Sequence, residues 1–274
     1  MRRGLGLLAV VLAACSAPAT ATAPSPASAT APATAHTARA VPPTQRSGFD
    51  DMGAAVQAMQ RDDAANPAML WVQAGRQLWT TAPGAQSKAC FACHGEVSAL
   101  RGVATRYPAW DAPLSRPVNL ASRINLCRQR HQGQPAWPPE HADLLALEAL
   151  VGLQSRGMPV APMADPRLEP FRVRGAALFQ QRLGQLDLSC ASCHDALAGG
   201  RLGGITIPQG QANGYPIYRL EWQGMGSLSR RIRNCMTGVR AQPLAAHGVE
   251  MVELELHLAR RALGMAMETP AVRP

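Results

Sequence analysis

Lysine is almost absent from this chain of 274 residues: Lys88 stands alone, and the formal charge of +9 rests on arginines scattered singly or in pairs. Without a basic tract, nucleic-acid binding is excluded as a function. Aromatic residues are scarce too, at 4% against 47% hydrophobic residues overall. Cores built from this chain therefore lack the flat, bulky side chains that usually fill small domains. Beyond residues 5–14 no apolar run is long enough to span a bilayer. Clear strand alternation is missing as well, so the period-3.6 patterns that remain predict a mainly α protein.

What is present begins with a leader. Arg2-Arg3, the apolar residues 5–14 and then Leu12-Ala13-Ala14-Cys15 have the pattern of a secretory signal ending in a lipobox, with Cys15 as the residue to be lipidated and plain signal cleavage as the alternative. Residues 16–45 are nearly all Ala, Pro, Thr and Ser, with no hydrophobic period, and cannot offset their ordering entropy by burial. Residues 1–46 are expected to be signal and tether. The folded part is expected on the periplasmic side of an inner membrane, anchored there by lipid if Cys15 is modified.

The remainder is a duplication. At an offset of 100, Gly75-Arg76-Gln77-Leu78-Trp79 falls on Gly175-Ala176-Ala177-Leu178-Phe179, and Cys90-Phe91-Ala92-Cys93-His94 on Cys190-Ala191-Ser192-Cys193-His194. After a short insertion, Arg123-Ile124-Asn125-Leu126-Cys127 matches Arg231-Ile232-Arg233-Asn234-Cys235, and each copy closes on an amphipathic run. Three prolines within residues 158–166 break any helix, placing a boundary near 160. The expected architecture is two tandem cytochrome c-like domains, residues 47–160 and 161–274, related by internal duplication.

In C-x-x-C-H the two thiols add across haem vinyl groups, and the adjacent histidine faces the iron. Zinc would require further ligands at finger spacing, and dithiol redox chemistry a preceding strand; neither is present. Two covalently bound c-type haems are therefore expected, at Cys90, Cys93 and His94, and at Cys190, Cys193 and His194. Each would supply the flat apolar surface that the sequence lacks. The sixth ligand has two kinds of candidate. Methionine, the usual partner in small carriers, is available as Met158 or Met163 after the first motif and as Met251 or Met265 after the second. Cys127 and Cys235 are the others, at equivalent positions, each with an arginine four residues earlier on the same helix face. A disulfide between them is a poor reading, because equivalent positions in two haem domains stand too far apart to bridge. A thiolate ligand lowers the haem potential and suits a site where the sulfur reacts. Arg231, with Arg230 and Arg233 nearby, makes Cys235 the better placed to meet an anion.

These residues resemble the SoxA family of dihaem cytochromes, the SoxA subunit of the SoxAX L-cysteine S-thiosulfotransferases. The likeness runs from about Ser47 onward through Asn66-Pro67-Ala68-Met69-Leu70-Trp71, Leu188-Ser189-Cys190-Ala191-Ser192-Cys193-His194-Asp195, Gly214-Tyr215-Pro216-Ile217-Tyr218-Arg219-Leu220, and Met267-Glu268-Thr269-Pro270-Ala271-Val272-Arg273-Pro274. The resemblance implies His94 and Cys127 as one axial pair, and His194 and Cys235 as the other. It implies Cys235 as the catalytic residue, carrying a persulfide, and Arg231 as the thiosulfate-binding residue. It further implies a SoxX-like monohaem cytochrome as heterodimer partner and a SoxYZ-like sulfur carrier as acceptor. The rival reading is a plain dihaem periplasmic electron carrier, with Cys127 and Cys235 as buried bystanders.

Overall fold

The computed structural model describes residues 44–85 and 87–274. The leader, Cys15 and most of the tether lie outside them. Among the described residues no helix is long and apolar enough to cross a membrane.

The first half runs α1 (Ala54–Arg61), α2 (Met69–Thr80), the one-turn α3 (Cys90–His94), the hairpin β1 (Ala109–Asp111) and β2 (Arg116–Val118), α4 (Leu120–His131) and α5 (Ala142–Leu153). The second half repeats this order without the α1 equivalent: α6 (Glu169–Gln180), the one-turn α7 (Cys190–His194), an inserted ribbon β3 (Arg201–Leu202) and β4 (Ile205–Thr206), the hairpin β5 (Ile217–Arg219) and β6 (Gly224–Gly226), α8 (Leu228–Gly238) and α9 (Val249–Arg261). A last strand, β7 (Ala271–Arg273), joins β5 in parallel.

The duplicated glycines explain how each core closes. A Cβ on Gly75 would stand 2.4 Å from the Ala146 carbonyl oxygen, and one on Gly175 would stand 1.9 Å from that of Glu253. Only hydrogen at these positions lets α2 cross α5, and α6 cross α9, with backbone against backbone. Around the crossings lie two apolar clusters. One includes Val72, Trp79, Leu145 and Leu150, together with Met225 from the second half. The other includes Phe179, Ile232, Met251 and Leu258.

The halves are locked together within one compact unit. Tyr218 meets Trp71 edge-on at 5.9 Å between ring centroids. Asn66 donates to the Pro270 carbonyl at 3.0 Å. The segments following α5 and α9 pair with each other: Val160 N–H donates to Met265 O, Gly264 N–H to Val160 O, and Met267 N–H to Met158 O. Between the halves lies a cavity of about 110 Å³, lined by matched residues from the two copies: Tyr107 and Tyr215, Asn119 and Ser227, Glu148 and Glu255.

Among the described residues, seven short strands qualify the expectation of a chain without strand signals. The longest have three residues, too few for a period of two to emerge from the sequence. The protein is mainly helical, with these ribbons as turns between its helices.

Candidate functional site

The second C-x-x-C-H begins at a capping box. Ser189 Oγ accepts from Ser192 N–H at 3.0 Å, while Ser192 Oγ accepts from Ser189 N–H at 3.1 Å. This satisfies donors that so short a helix leaves unpaired and sets Cys190, Cys193 and His194 on one turn. His194 Nδ1 lies 2.8 Å from Pro208 O. A carbonyl can only accept, so Nδ1 holds the proton and Nε2 presents its lone pair, the tautomer of a metal-ligating histidine. Gly210, at φ +69°, packs on the ring so closely that a Cβ would stand 2.9 Å from it. In the first copy, Trp79 lies beside His94 with ring centroids 5.8 Å apart, and its Nε1 donates to Gly95 O at 2.9 Å.

Each lone cysteine arrives on a capped helix. Asn119 accepts from Ser122 N–H at the start of α4, and Ser227 from Arg230 N–H at the start of α8. These helices carry Cys127 toward Cys90 and Cys93, close enough for their thiols to act on one another. Cys235 is brought to the second motif, near enough to the His194 ring for the two to act on one another. Burial and the nearby Cys235 push the Cys190 thiol up to about 11. Cys127 and Cys235 are both free thiols. The methionines go elsewhere: Met158 lies over Gly102, Met251 is fully buried in the second core, Met163 is exposed, and Met265 pairs through its backbone with Val160.

The surroundings of the two cysteines differ sharply in charge. In the first copy, Asp111 at the end of β1 gathers Arg123 Nη1 at 2.7 Å and both Arg130 terminal nitrogens at 2.8 and 2.9 Å. Its side chain is 1% exposed, and the Arg130 bonds, with Arg123 behind them, hold its carboxyl well below the usual range. Cys127 is raised, chiefly by burial, with Cys93 and Asp111 adding to it against the two arginines. In the second copy the position of Asp111 is taken by Arg219. The hairpins share one register, Asp111 opposite Arg116 and Arg219 opposite Gly224. Arg231 makes no ion pair with any described residue. For Cys235 burial again raises the thiol, but the neighbouring His194 ring and the Arg231 and Arg219 charges outweigh it and leave it below its ordinary value.

Arg230 and Arg233, read from the sequence as thickening the charge at Cys235, are engaged elsewhere. The Arg230 guanidinium lies 4.1 Å from the Trp222 ring centre, and Arg233 bonds Leu244 O. Both line a cleft of about 390 Å³ with Pro139, Glu140, Asn234 and Ala246. The sequence reading also passed over Arg219. Extending the duplication backward from Cys127 and Cys235 would have set Tyr107-Pro108 on Tyr215-Pro216 and Asp111 on Arg219, exposing the exchange of sign.

The donor set fits a haem attached through two thioethers. Two thiols three residues apart share a helical turn with a histidine whose free nitrogen is fixed by its carbonyl partner, and a lone cysteine faces that histidine. Fold and site together are those of a c-type cytochrome. The SoxA/TsdA cytochrome c domain matches residues 74–160 and 174–267. The L-cysteine S-thiosulfotransferase subunit SoxA of Pseudaminobacter salicylatoxidans is 37% identical over 216 residues, covering 78% of this chain and 76% of the relative. That of Rhodovulum sulfidophilum is 35% identical over 229 residues, 83% and 80% respectively. The crystal structure of SoxXA from P. pantotrophus superposes with a TM-score of 0.81 at 31% identity, covering 84% of this chain and 87% of that one. The chain belongs to the SoxA family, and its cofactor is covalently bound c-type haem.

Proposed function

We propose that this chain is the catalytic subunit of an L-cysteine S-thiosulfotransferase, oxidatively coupling thiosulfate to a cysteine of a SoxYZ-like sulfur carrier. Each of two haem domains, 47–160 and 161–274, would hold one haem, through Cys90, Cys93, His94 and Cys127 in the first and through Cys190, Cys193, His194 and Cys235 in the second. A SoxX-like monohaem cytochrome completes a heterodimer in the periplasm, and Cys15 is the lipid attachment point. The observation that carries this reading is the charge at the second cysteine: Arg231 lies beside Cys235 with no acidic partner among the described residues, whereas Arg123 beside Cys127 is paired with Asp111.

Thiosulfate is a dianion, and Arg231 attracts it and turns its outer sulfur toward a persulfide sulfur on Cys235. A sulfur–sulfur bond forms with loss of two electrons. The carrier's thiolate then attacks the sulfur next to the sulfonate and displaces the Cys235 persulfide by exchange. Overall, one thiosulfate and one thiol give a disulfane-sulfonate on the carrier cysteine (R–S–S–SO3⁻), one proton and two electrons. The haem supplies the one-electron acceptor when bound. His194 holds its place through Pro208, and Gly210 keeps its ring from tilting.

Peptide mass spectrometry over Cys235 in the holoprotein is expected to find added sulfur. Arg231→Ala is expected to weaken thiosulfate turnover roughly tenfold or more with haem spectra little changed. An unmodified Cys235 together with unaltered turnover in Arg231→Ala would overturn this assignment.

A further inference from the structure

The second copy puts an arginine where the first has the aspartate that locks its cysteine-side arginine. Asp111 reaches Arg123 from the end of its hairpin strand; Arg219, at the same place in its own hairpin, brings a second positive charge to Arg231. Its guanidinium belongs to a residue only 8% exposed and is held from three sides. Nε donates to Pro274 O at 2.8 Å, Nη2 reaches Glu221 Oε2 at 2.7 Å, and the Trp222 ring lies 5.1 Å away. Trp222 is itself fixed, because a Cβ on Gly226 would stand 2.3 Å from it. Among the described residues Nη1 has no partner, and neither does any nitrogen of Arg231.

The Arg219 guanidinium is largely buried and that of Arg231 partly exposed; the Arg231 charge acts on Arg219, and both charges act on Cys235 and Tyr215. Such a pair is stable where an anion is to be received between its members. The carboxylate present, Glu221, lies outward with its side chain 63% exposed. It neutralises Arg219 from the solvent side and leaves the inner side open.

We propose that Arg219 is a second substrate-binding residue: with Arg231 it forms a two-guanidinium clamp for the sulfonate oxygens of a thiosulfate-like dianion, and Glu221 is the counter-ion with which that dianion competes. This rests on the thiosulfate reading of the Cys235 site and adds a determinant of charge selectivity to it. One arginine matches one negative charge, and two match a dianion over a monoanion of the same shape.

The test is calorimetric titration of the holoprotein with thiosulfate at fixed ionic strength, for wild type, R219Q, R219K and E221Q. R219Q is expected to bind roughly tenfold or more weakly, with R219K recovering part of the loss because it keeps the charge without the fork. E221Q is expected to bind about two- to fivefold more tightly, in keeping with the modest worth of an exposed ion pair. That gain is one a purely structural role for Arg219 would not produce. Wild-type binding with R219Q and E221Q both unchanged overturns the clamp and leaves the Cys235 assignment standing; no thiosulfate binding by wild type overturns both. If R219Q does not fold, E221Q decides: tighter binding supports the clamp, and unchanged or weaker binding overturns it.

Discussion

The two halves of this molecule share a backbone plan and differ in where they spend charge. In both, a glycine lets two helices cross, a capped helix delivers a cysteine toward a C-x-x-C-H turn, and a three-residue strand ends beside the arginine that precedes that cysteine. The first half ends the strand in Asp111 and closes Arg123 and Arg130 on it, so that the two arginines share one buried carboxylate. The second ends it in Arg219 and leaves Arg231 open. One change of sign at one strand position separates a cysteine whose arginine is paired with a carboxylate from a cysteine whose arginine has no acidic partner among the described residues. On the proposed function, a duplicated domain keeps its cofactor framework while one copy takes on chemistry, because the framework resides in glycines and caps and the chemistry in a few charges.

The sharpest way to break this comparison is to remove each sulfur in turn. Cys235→Ser is expected to lower thiosulfate-coupling turnover by at least about a thousandfold, since the attacking and leaving sulfur is lost. Cys127→Ser is expected to alter the first haem's spectrum and potential with turnover reduced less than about tenfold. Steady-state assays with a carrier thiol read both, and equal losses would show that the first half shares in the reaction.

A smaller effect tests the locked side. Asp111→Asn leaves Arg123 and Arg130 without their common carboxylate, and breaking a largely inaccessible ionic cluster by removing one partner is expected to cost about 2 kcal/mol at pH 7. Because the folded state holds the Asp111 carboxyl below its unfolded value, its contribution is complete above the unfolded value of about 4 and is lost as pH falls through the folded one. The stability gap between wild type and Asp111→Asn, from guanidinium denaturation, should therefore narrow below about pH 4. A gap independent of pH would mean that the lock is one of packing and not of charge.

How much of this the sequence disclosed depends on the distance between the residues concerned. The haem turns, the lone cysteines and the preceding arginines sit within pentapeptides, where spacing alone conveys geometry. Gly75 and Gly175 were legible as a matched pair because the repeat aligns them, although their purpose, a backbone crossing, needed the partner helices. The lock between Asp111 and Arg123 joins a strand to a helix 12 residues on, and nothing local marks it. The Pro208 and Gly210 cradle of His194 lies across an inserted ribbon absent from the first copy. Arg230 and Arg233 misled because adjacency in sequence is not adjacency in space: on a helix, residues two and five positions before Cys235 point away from it.

The smallest expected effect concerns the cavity where the halves meet. Glu148 and Glu255, matched residues of α5 and α9, both line it. Glu148 Oε2 is sealed from solvent without a hydrogen-bond partner, while Glu255 accepts from Asn119 at 2.9 Å. Burial, with the Glu255 and Glu140 charges adding to it, pushes Glu148 up to about 8, and burial pushes Glu255 up to about 7 against the Asn119 bond. In the unfolded chain both carboxyls release their protons near pH 4. Between there and about pH 8 the folded state therefore holds more protons than the unfolded one, so this pair's contribution is complete at low pH and declines as pH rises. Glu148→Gln keeps the shape and removes the ionisation. It is expected to make stability less sensitive to pH, by about 1 kcal/mol or less across the unit from pH 6.5 to 7.5. Denaturation of the holoprotein at several pH values measures that slope. An unchanged slope would mean that Glu148 is ionised in the folded state across this range, and that its burial does not couple the junction of the two halves to pH.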